Sequence, residues 1–392
     1  MTIRNEYVPN YAVHPGKILL EILETRKITQ VELAKRTGIS TKHISQIING
    51  LKPVTPTTAL SLERVLGTPA YVWSNLNARY QLFQTERERT KLDENKENKE
   101  WVSRFPIAWL KKNGYIDNKK AQKGEIVNQV LSFFGVANKE SFDPSYGACA
   151  INYRKTSDDK SSSESVATWI RVGELKTLEK WSNNYNRDLF ESNLAEIKKL
   201  IKYDVENDSI DKMKKLCADS GVVFVIVQGI PKTGCWGATK WLSKNKVMLL
   251  LSLRNRYDDF FWFTFFHEAG HIILHKNDEI IIDTNGIEKN NNLNEKEEEA
   301  NKFARKILIP DDAYESFKDE IEPILNIIKS TGTNDQKKFA KTNDLKKEII
   351  KFAESNNIAP SIILGRLQFD DLVDYRTILN DLKKSINIEG VY

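Results

Sequence analysis

Three of the chain's five histidines fall within nine residues, at His267, His271 and His275. His267 and His271 stand four apart, so on a helix both imidazoles leave the same face, one turn from each other. Nitrogen donors at that spacing suit two neighbouring corners of a zinc tetrahedron. Glu268, next to the first histidine, would then sit beside the metal's open position and take a proton from water. Two helical histidines can also merely serve a core. His-Glu-x-x-His after the apolar run Phe261–Phe266 is a more specific arrangement, because it supplies donors, a base and shelter from solvent together.

A zinc hydrolase site needs a third protein ligand from another element. The stretch 295–310 is predicted to be a helix, with Asn294 as N-cap, glutamates in the first turn and Pro310 ending the run. Ala300, Phe303, Ala304 and Ile307 form an apolar stripe at helical spacing, and Glu297 falls on it. Glu298, one position round, is the alternative ligand. Asn301, four residues after Glu297, would orient a ligand histidine from outside. Upstream, Val222–Val227 is β-branched and aromatic and reads as a strand, and Ala238–Leu242 and Lys246–Leu253 read as a pair. An edge of such a sheet can hold an extended peptide by adding a strand.

The first 83 residues have a different logic. A helix is expected over Lys17–Glu24 after His14-Pro15-Gly16. Thr29 with Glu32 forms a capping box for a second, Gly38-Ile39 makes a turn, and Ser40 caps a third over 41–49 that stops at Gly50. A short helix, a glycine turn and a second helix form a helix-turn-helix. With Ile44, Ile47 and Ile48 inward, Thr41, Lys42, Ser45 and Gln46 are left outward to meet base edges and phosphates. Gln30, Asn49 and Lys52 complete the candidate DNA contacts.

Charge supports this division. Residues 1–83 hold ten Lys/Arg against five Asp/Glu, whereas the rest of the chain holds 49 of each, so the whole net charge of +5 lies where a nucleic-acid footprint would put it. The stretch 84–100 is polar and charged with only Leu92 apolar, and reads as the solvated end of a long helix or a helical linker. Residues 101–220 show helical patterns at Trp101–Asn113, Gly124–Phe134, Ser165–Leu178, Asp188–Lys202 and Ile210–Asp219, a polar segment at Thr156–Ser165, and no legible chemistry. There Trp169 and Arg171 read as packing residues. Residues 311–354 read as helical and lysine-rich, with a break at Ser330–Asp335. Cys149, Cys217 and Cys235 are isolated, which argues against a disulfide framework or a thiolate zinc site. No leading signal sequence and no apolar run near 18 residues is present, so a soluble, cytoplasmic chain without membrane contact is expected.

Two resemblances build on these motifs. The segment from Leu249 to Pro310, with Ser252-Leu253-Arg254, Phe263–His271 and Glu297-x-x-Ala300-Asn301-x-Phe303-Ala304, resembles the ImmA/IrrE metallopeptidases. The resemblance implies a zincin-like domain and a zinc-dependent peptidase that relieves repression, typically by cleaving a helix-turn-helix repressor. About residues 12–83, including Pro53–Gly67 and Thr68–Tyr80, are similar to HigA-type antitoxins of the XRE helix-turn-helix class. That implies a five-helix, lambda-repressor-like bundle, palindromic operator DNA bound as a homodimer, autorepression, and often a HigB-type toxin alongside. Val166–Leu175 and the tail 357–368 resemble proteins that fuse the two modules, with the tail helix near the catalytic centre. On that resemblance His275 and Arg366 are candidates to assist substrate or oxyanion binding, with a structural role open for each.

The expected architecture is mainly α with an α+β C-terminal domain that holds a small sheet. It comprises a DNA-binding domain over 1–83, a linker over 84–100, a helical connector over 101–220 and the peptidase domain over 221–392. The expected function is a DNA-binding regulator with a zinc endopeptidase acting on a repressor or on its own linker. The rival is an autorepressing antitoxin whose zinc domain is structural or sensory. A general housekeeping protease fits the N-terminal module poorly.

Overall fold

The computed structural model describes residues 11–93, 95–117, 125–147, 162–275, 280–283, 291–330, 336–386 and 388. Cys149, residues 156–161 of the expected polar segment, the Asn-rich stretch 284–290 and the expected break at 331–335 lie outside them. The chain divides into two compact units, residues 1–100 with 120–128 and residues 101–119 with 129–392. Its architecture is mainly α, with the sheet confined to the second unit.

In the first unit, α1 (Pro15–Thr25), α2 (Gln30–Thr37), α3 (Thr41–Ile48), α4 (Pro56–Leu66) and α5 (Ala70–Asp93) follow one another. Side chains cap the first four: His14 Nδ1 accepts from Gly16 N–H, Thr29 from Glu32, Ser40 from His43 and Thr55 from Thr58. Thr29 and Glu32 make half of the expected capping box, since the Glu32 carboxylate turns to Arg36. Leu19, Leu23, Leu33, Ile44, Ile47, Leu62 and Trp73 form the core. Val31 is exposed on α2.

Next come α6 (Lys96–Val102), α7 (Ile107–Lys112), α8 (Glu125–Phe134), α9 (Lys139–Phe142), a π-turn at Asp143–Gly147, α10 (Ser163–Leu178), α11 (Arg187–Lys198) and α12 (Asn207–Asp219). The expected single helix over Trp101–Asn113 is broken before Ile107. Pro106 lacks an amide proton and disfavours helical backbone at Phe105.

The sheet consists of β1 (Val222–Ile226), β2 (Gly237–Ser243), β3 (Lys246–Leu251) and β4 (Ile280–Asp283) in the order β1-β3-β2-β4. β1 and β3 are parallel, and β2 is antiparallel to both its neighbours. Between β3 and β4 lies α13 (Asp258–Leu274), followed after β4 by α14 (Asn291–Leu308), α15 (Asp311–Ser330), α16 (Gln336–Ser355) and α17 (Pro360–Phe369). The helix expected to start after an Asn294 cap begins at Asn291 instead, because the asparagines before it join the first turn. α13 is apolar nearly all round, so it sits between the sheet and the other helices: Phe224, Leu249, Phe265, Phe266, Ala304 and Ile363 meet in one core. Among the described residues no helix is long and apolar enough to cross a membrane.

Candidate metal centre

α13 and α14 pack closely at Gly270, where an added Cβ would come within 3.0 Å of the Phe303 ring and 3.3 Å of Ala300 Cα. The glycine of the His-Glu-Ala-Gly-His run thus lets α14 approach both histidines. His267 and His271 are almost completely buried, and their Nε2 atoms lie 3.0 Å apart. Glu297 brings its carboxylate from α14 to 3.2 Å from His267 Nε2 and 3.5 Å from His271 Nε2. These donor atoms all lie within 4.8 Å of one another. Glu298 turns away to pair with Arg305.

The outer ring nitrogens decide which way the lone pairs face. His267 Nδ1 lies 3.0 Å from Asn301 Oδ1, and an amide oxygen only accepts, so the ring proton sits on Nδ1 and Nε2 is bare. His271 Nδ1 lies 3.0 Å from His275 Nδ1, whose own Nε2 lies 2.9 Å from Glu299 Oε2. A proton on His275 Nε2 serves Glu299 and leaves His275 Nδ1 to accept from His271, which again bares Nε2. Burial, helped by the neighbouring histidines and opposed by Glu297, pulls the His271 pKa down to about 4. Burial also works to raise Glu297, but hydrogen bonding and charge from both histidines outweigh it and hold the carboxyl at about 2. The pocket therefore keeps the His271 ring neutral and the Glu297 carboxylate charged, the forms a metal takes.

Glu268 is buried on the side of α13 that faces β2. The Thr239 hydroxyl lies 2.7 Å from its Oε2 and 3.2 Å from its main-chain oxygen. Gly237 completes the cradle, because a Cβ there would stand 2.7 Å from Glu268 Cγ and 2.8 Å from Cδ. Sequence reasoning missed both residues, and also Glu299. Only the strand register and the helix pairing bring them to the site.

Of the other candidates, His275 is buried at the end of α13 and holds His271. Arg366 donates to Asp370 at 3.0 Å and stacks over the Tyr314 ring, so its partners belong to the α15–α17 packing. α17 reaches α13 at its start, where Ser361 donates to Asp258 and Gly365 abuts Asp259, more than a turn before His267. Cys217 and Cys235 are buried and form no disulfide among the described residues. Trp169 is buried and donates to the Val227 carbonyl. Residues 101–220, which showed no chemistry in sequence, contain a buried polar cluster: Glu174 pairs with Lys240 and Arg171 and accepts from the Tyr146 hydroxyl. Burial opposes the Glu174 charge, but Lys240 and its hydrogen-bond donors hold its carboxyl below the usual range.

In the first unit Thr41, Lys42 and Asn49 on or next to α3, and Lys52 after it, are exposed, while Gln30, Ser45 and Gln46 are half-buried. All seven keep solvent-accessible surface.

Family models match the two regions separately. One described as helix-turn-helix covers residues 19–73, and one described as an IrrE N-terminal-like domain covers residues 253–331. No curated protein matches the chain. Solved structures similar to part of it include a putative antidote protein of a plasmid maintenance system from Nostoc punctiforme, with 28% identity over 20% of this chain and 88% of that one, TM-score 0.20. Another is an addiction-module antidote protein of the HigA family from Coxiella burnetii, with 34% identity over 20% and 87%, TM-score 0.19. A third is the antitoxin HigA of Pseudomonas aeruginosa with the higBA promoter, with 28% identity over 21% and 90%, TM-score 0.20. The chain thus carries a helix-turn-helix domain and a domain of the IrrE-like peptidase family.

Proposed function

We propose that this chain is a DNA-binding regulator whose second unit is a zinc-dependent endopeptidase, with His267, His271 and Glu297 as ligands and Glu268 as the base. The observation that carries the reading is the convergence of two imidazole nitrogens and a carboxylate within 4.8 Å, beside a second buried carboxylate. Two imidazole nitrogens and a carboxylate this close are a donor set that a cation can hold together. Zinc fits this N,N,O set, and when bound it would supply Lewis acidity toward water and a peptide carbonyl.

The chain's own residues do the rest. Asn301 and the His275–Glu299 pair fix the tautomer and tilt of the two histidines. Glu268 takes a proton from the attacking water and returns it to the leaving amine. The Thr239 hydroxyl and the space left by Gly237 fix that carboxylate's position throughout.

The proposed substrate is a helix-turn-helix repressor, and a second copy of this chain is the nearest candidate. The stretch 84–100 would be cut there. It is polar and continues α5 as far as Asp93, so it must unwind before an active site can hold it extended. DNA is met by α3 as a homodimer on a palindromic operator, and a HigB-type toxin is the proposed protein partner.

The test is elemental analysis with fragment mapping by mass spectrometry on full chains incubated with operator DNA. His267→Ala and Glu297→Ala are expected to lose zinc and cleavage together. Glu268→Gln keeps zinc and cuts nothing, and Glu298→Ala behaves as wild type. Cleavage that survives Glu268→Gln, or a wild type that holds zinc and cuts no helix-turn-helix protein, would leave the rival autorepressor reading in its place.

A further inference from the structure

Lys240 stands next to Thr239 on β2 and takes no part in the chemistry above. We propose that Lys240 is a positioning residue: its ion pair with Glu174 on α10 fixes the register of β2, and that register keeps Thr239 against the Glu268 carboxylate. The inference deepens the peptidase reading and rests on it for the role of Glu268.

The two faces of β2 are the first support. Thr239 faces α13, where its hydroxyl meets Glu268, and Lys240 faces the other way, where its ammonium meets the Glu174 carboxylate. β3 alternates in step. Leu249, opposite Thr239, belongs to the core shared with α13, whereas Met248 and Leu250, opposite Lys240 and Ala238, abut Gly173 of α10. Composition chooses only weakly between these faces. Gly237, Thr239 and Trp241 alternate with Ala238, Lys240 and Leu242, with one large apolar residue in each set. A strand with so little bias is prone to slip, and a slip of one residue exchanges its faces.

A competing register is already present in the hairpin. From Gly237↔Leu251 to Trp241↔Val247 the partners keep one alignment, but Ser243↔Lys246, next to the turn, is displaced by one residue. Continued along β2, the alignment at the turn would set Lys240 opposite Leu249, in the place of Thr239. An ammonium would then point at Glu268, and the hydroxyl would leave it.

The Glu174 carboxylate is built to receive Lys240 in one alignment. Its Oε2 accepts from the Tyr146 hydroxyl at 2.9 Å and from Arg171 at 2.8 Å, and Arg171 also donates to the Phe133 carbonyl at 2.7 Å. That leaves Oε1 for Lys240. With their side chains 18% and 11% exposed, Lys240 and Glu174 lose most of their hydration. An apolar pair would avoid that cost, so the best-attested use of a buried polar contact is to single out one alignment.

Lys240→Met is the test, because Glu174 keeps Arg171 and Tyr146 and is not left without a partner. In full chains with methyl-labelled Ala, Leu and Thr, NMR contacts report the alignment. Wild type and Lys240→Arg are expected to show Thr239–Leu249 and Ala238–Leu250 contacts alone. Lys240→Met is expected to add Thr239–Leu250 and Ala238–Leu251 contacts and still to melt in a single transition. It should keep its zinc, since the three proposed ligands lie on α13 and α14. Its kcat for peptide cleavage should fall about tenfold at unchanged KM, because a slipped chain is an inactive one. A residue that only stabilised the fold would lower the melting temperature without a second set of contacts. If Lys240→Met does not fold, Glu174→Gln, which removes the charge and keeps an acceptor for Tyr146, carries the same readouts. One native set of contacts in the variant that folds, or a wild-type kcat beside a second set, overturns the proposal. A second set in a chain that cuts no peptide in any form, wild type included, upholds the register role and overturns the peptidase reading.

Discussion

Two helices carry the proposed functional residues of this chain, and they present them in opposite ways. α3 is eight residues long, hides Ile44 and Ile47, and offers polar side chains to solvent. α13 is seventeen residues long and hides its polar residues, with His267, Glu268 and His271 all buried among aromatic side chains. A surface that reads DNA works by field and reach, and its side chains can move with little cost to the fold. A buried site works by fixed placement, so each functional group is also a packing group. Substitutions should therefore be severe and coupled to folding in α13, and graded and local in α3.

Gly237→Ala is expected to have the largest effect. The new Cβ would meet a buried carboxylate that cannot leave its pocket, so activity should fall by about 10²-fold through misplacement of Glu268. Stability should fall by about 1–3 kcal/mol. Peptide cleavage and thermal melting measure the two. A Gly237→Ala chain that melts and cuts as wild type would break the contrast on its buried side.

Asn301→Ala comes next. It removes the acceptor that fixes the His267 tautomer without touching a ligand, and zinc affinity should fall by about 10–100-fold in a competitive chelator titration. Lys42→Ala is smaller and of another kind. Affinity should drop for all DNA sequences alike, with the salt slope reduced by about 1 and the melting temperature unchanged. If it unfolded the first unit instead, α3 would be as tightly coupled to its core as α13 is.

The smallest effect concerns His14, the one histidine that caps a helix here. Its Nδ1 accepts the Gly16 N–H, which requires a neutral ring, and burial with the nearby Lys17 charge lowers its pKa from the usual 6.5. As pH falls below 6.5 the unfolded chain takes up the proton while the folded one resists. This contribution is present at neutral pH and is lost as pH falls. Melting followed at pH 7.5 and 5.5 should show a modest drop that His14→Gln removes.

Local signals were legible and long-range ones were not. The caps at Thr29 and Ser40 act within three residues, and the His267–His271 pair within one turn, so sequence alone placed them. Glu297 was legible too, because the stripe Ala300–Phe303–Ala304 fixes the inward face of α14. Thr239 reaches Glu268 across 29 positions and His275 reaches Glu299 across 24, and no periodicity reports a strand register or a helix pairing. β4 is too short, at four residues, to show alternation in the sequence. The Tyr146–Arg171–Glu174–Lys240 cluster was invisible for the same reason as Thr239: its members come from three separate elements.

The sheet order implies a timetable for assembly. β2 and β3 form a hairpin joined at Ser243–Lys246, whose closure costs little chain entropy. β1 precedes both but pairs only with β3, so it waits for the hairpin. As the chain emerges from its N-terminus, the Thr239–Gly237 cradle is therefore available when Glu268 is made, whereas Glu297, Glu299 and Asn301 arrive together on a later helix. The half of the site that handles protons is laid down first. One helix then docks a ligand and both outer supports in a single step, so the metal set is closed by one event.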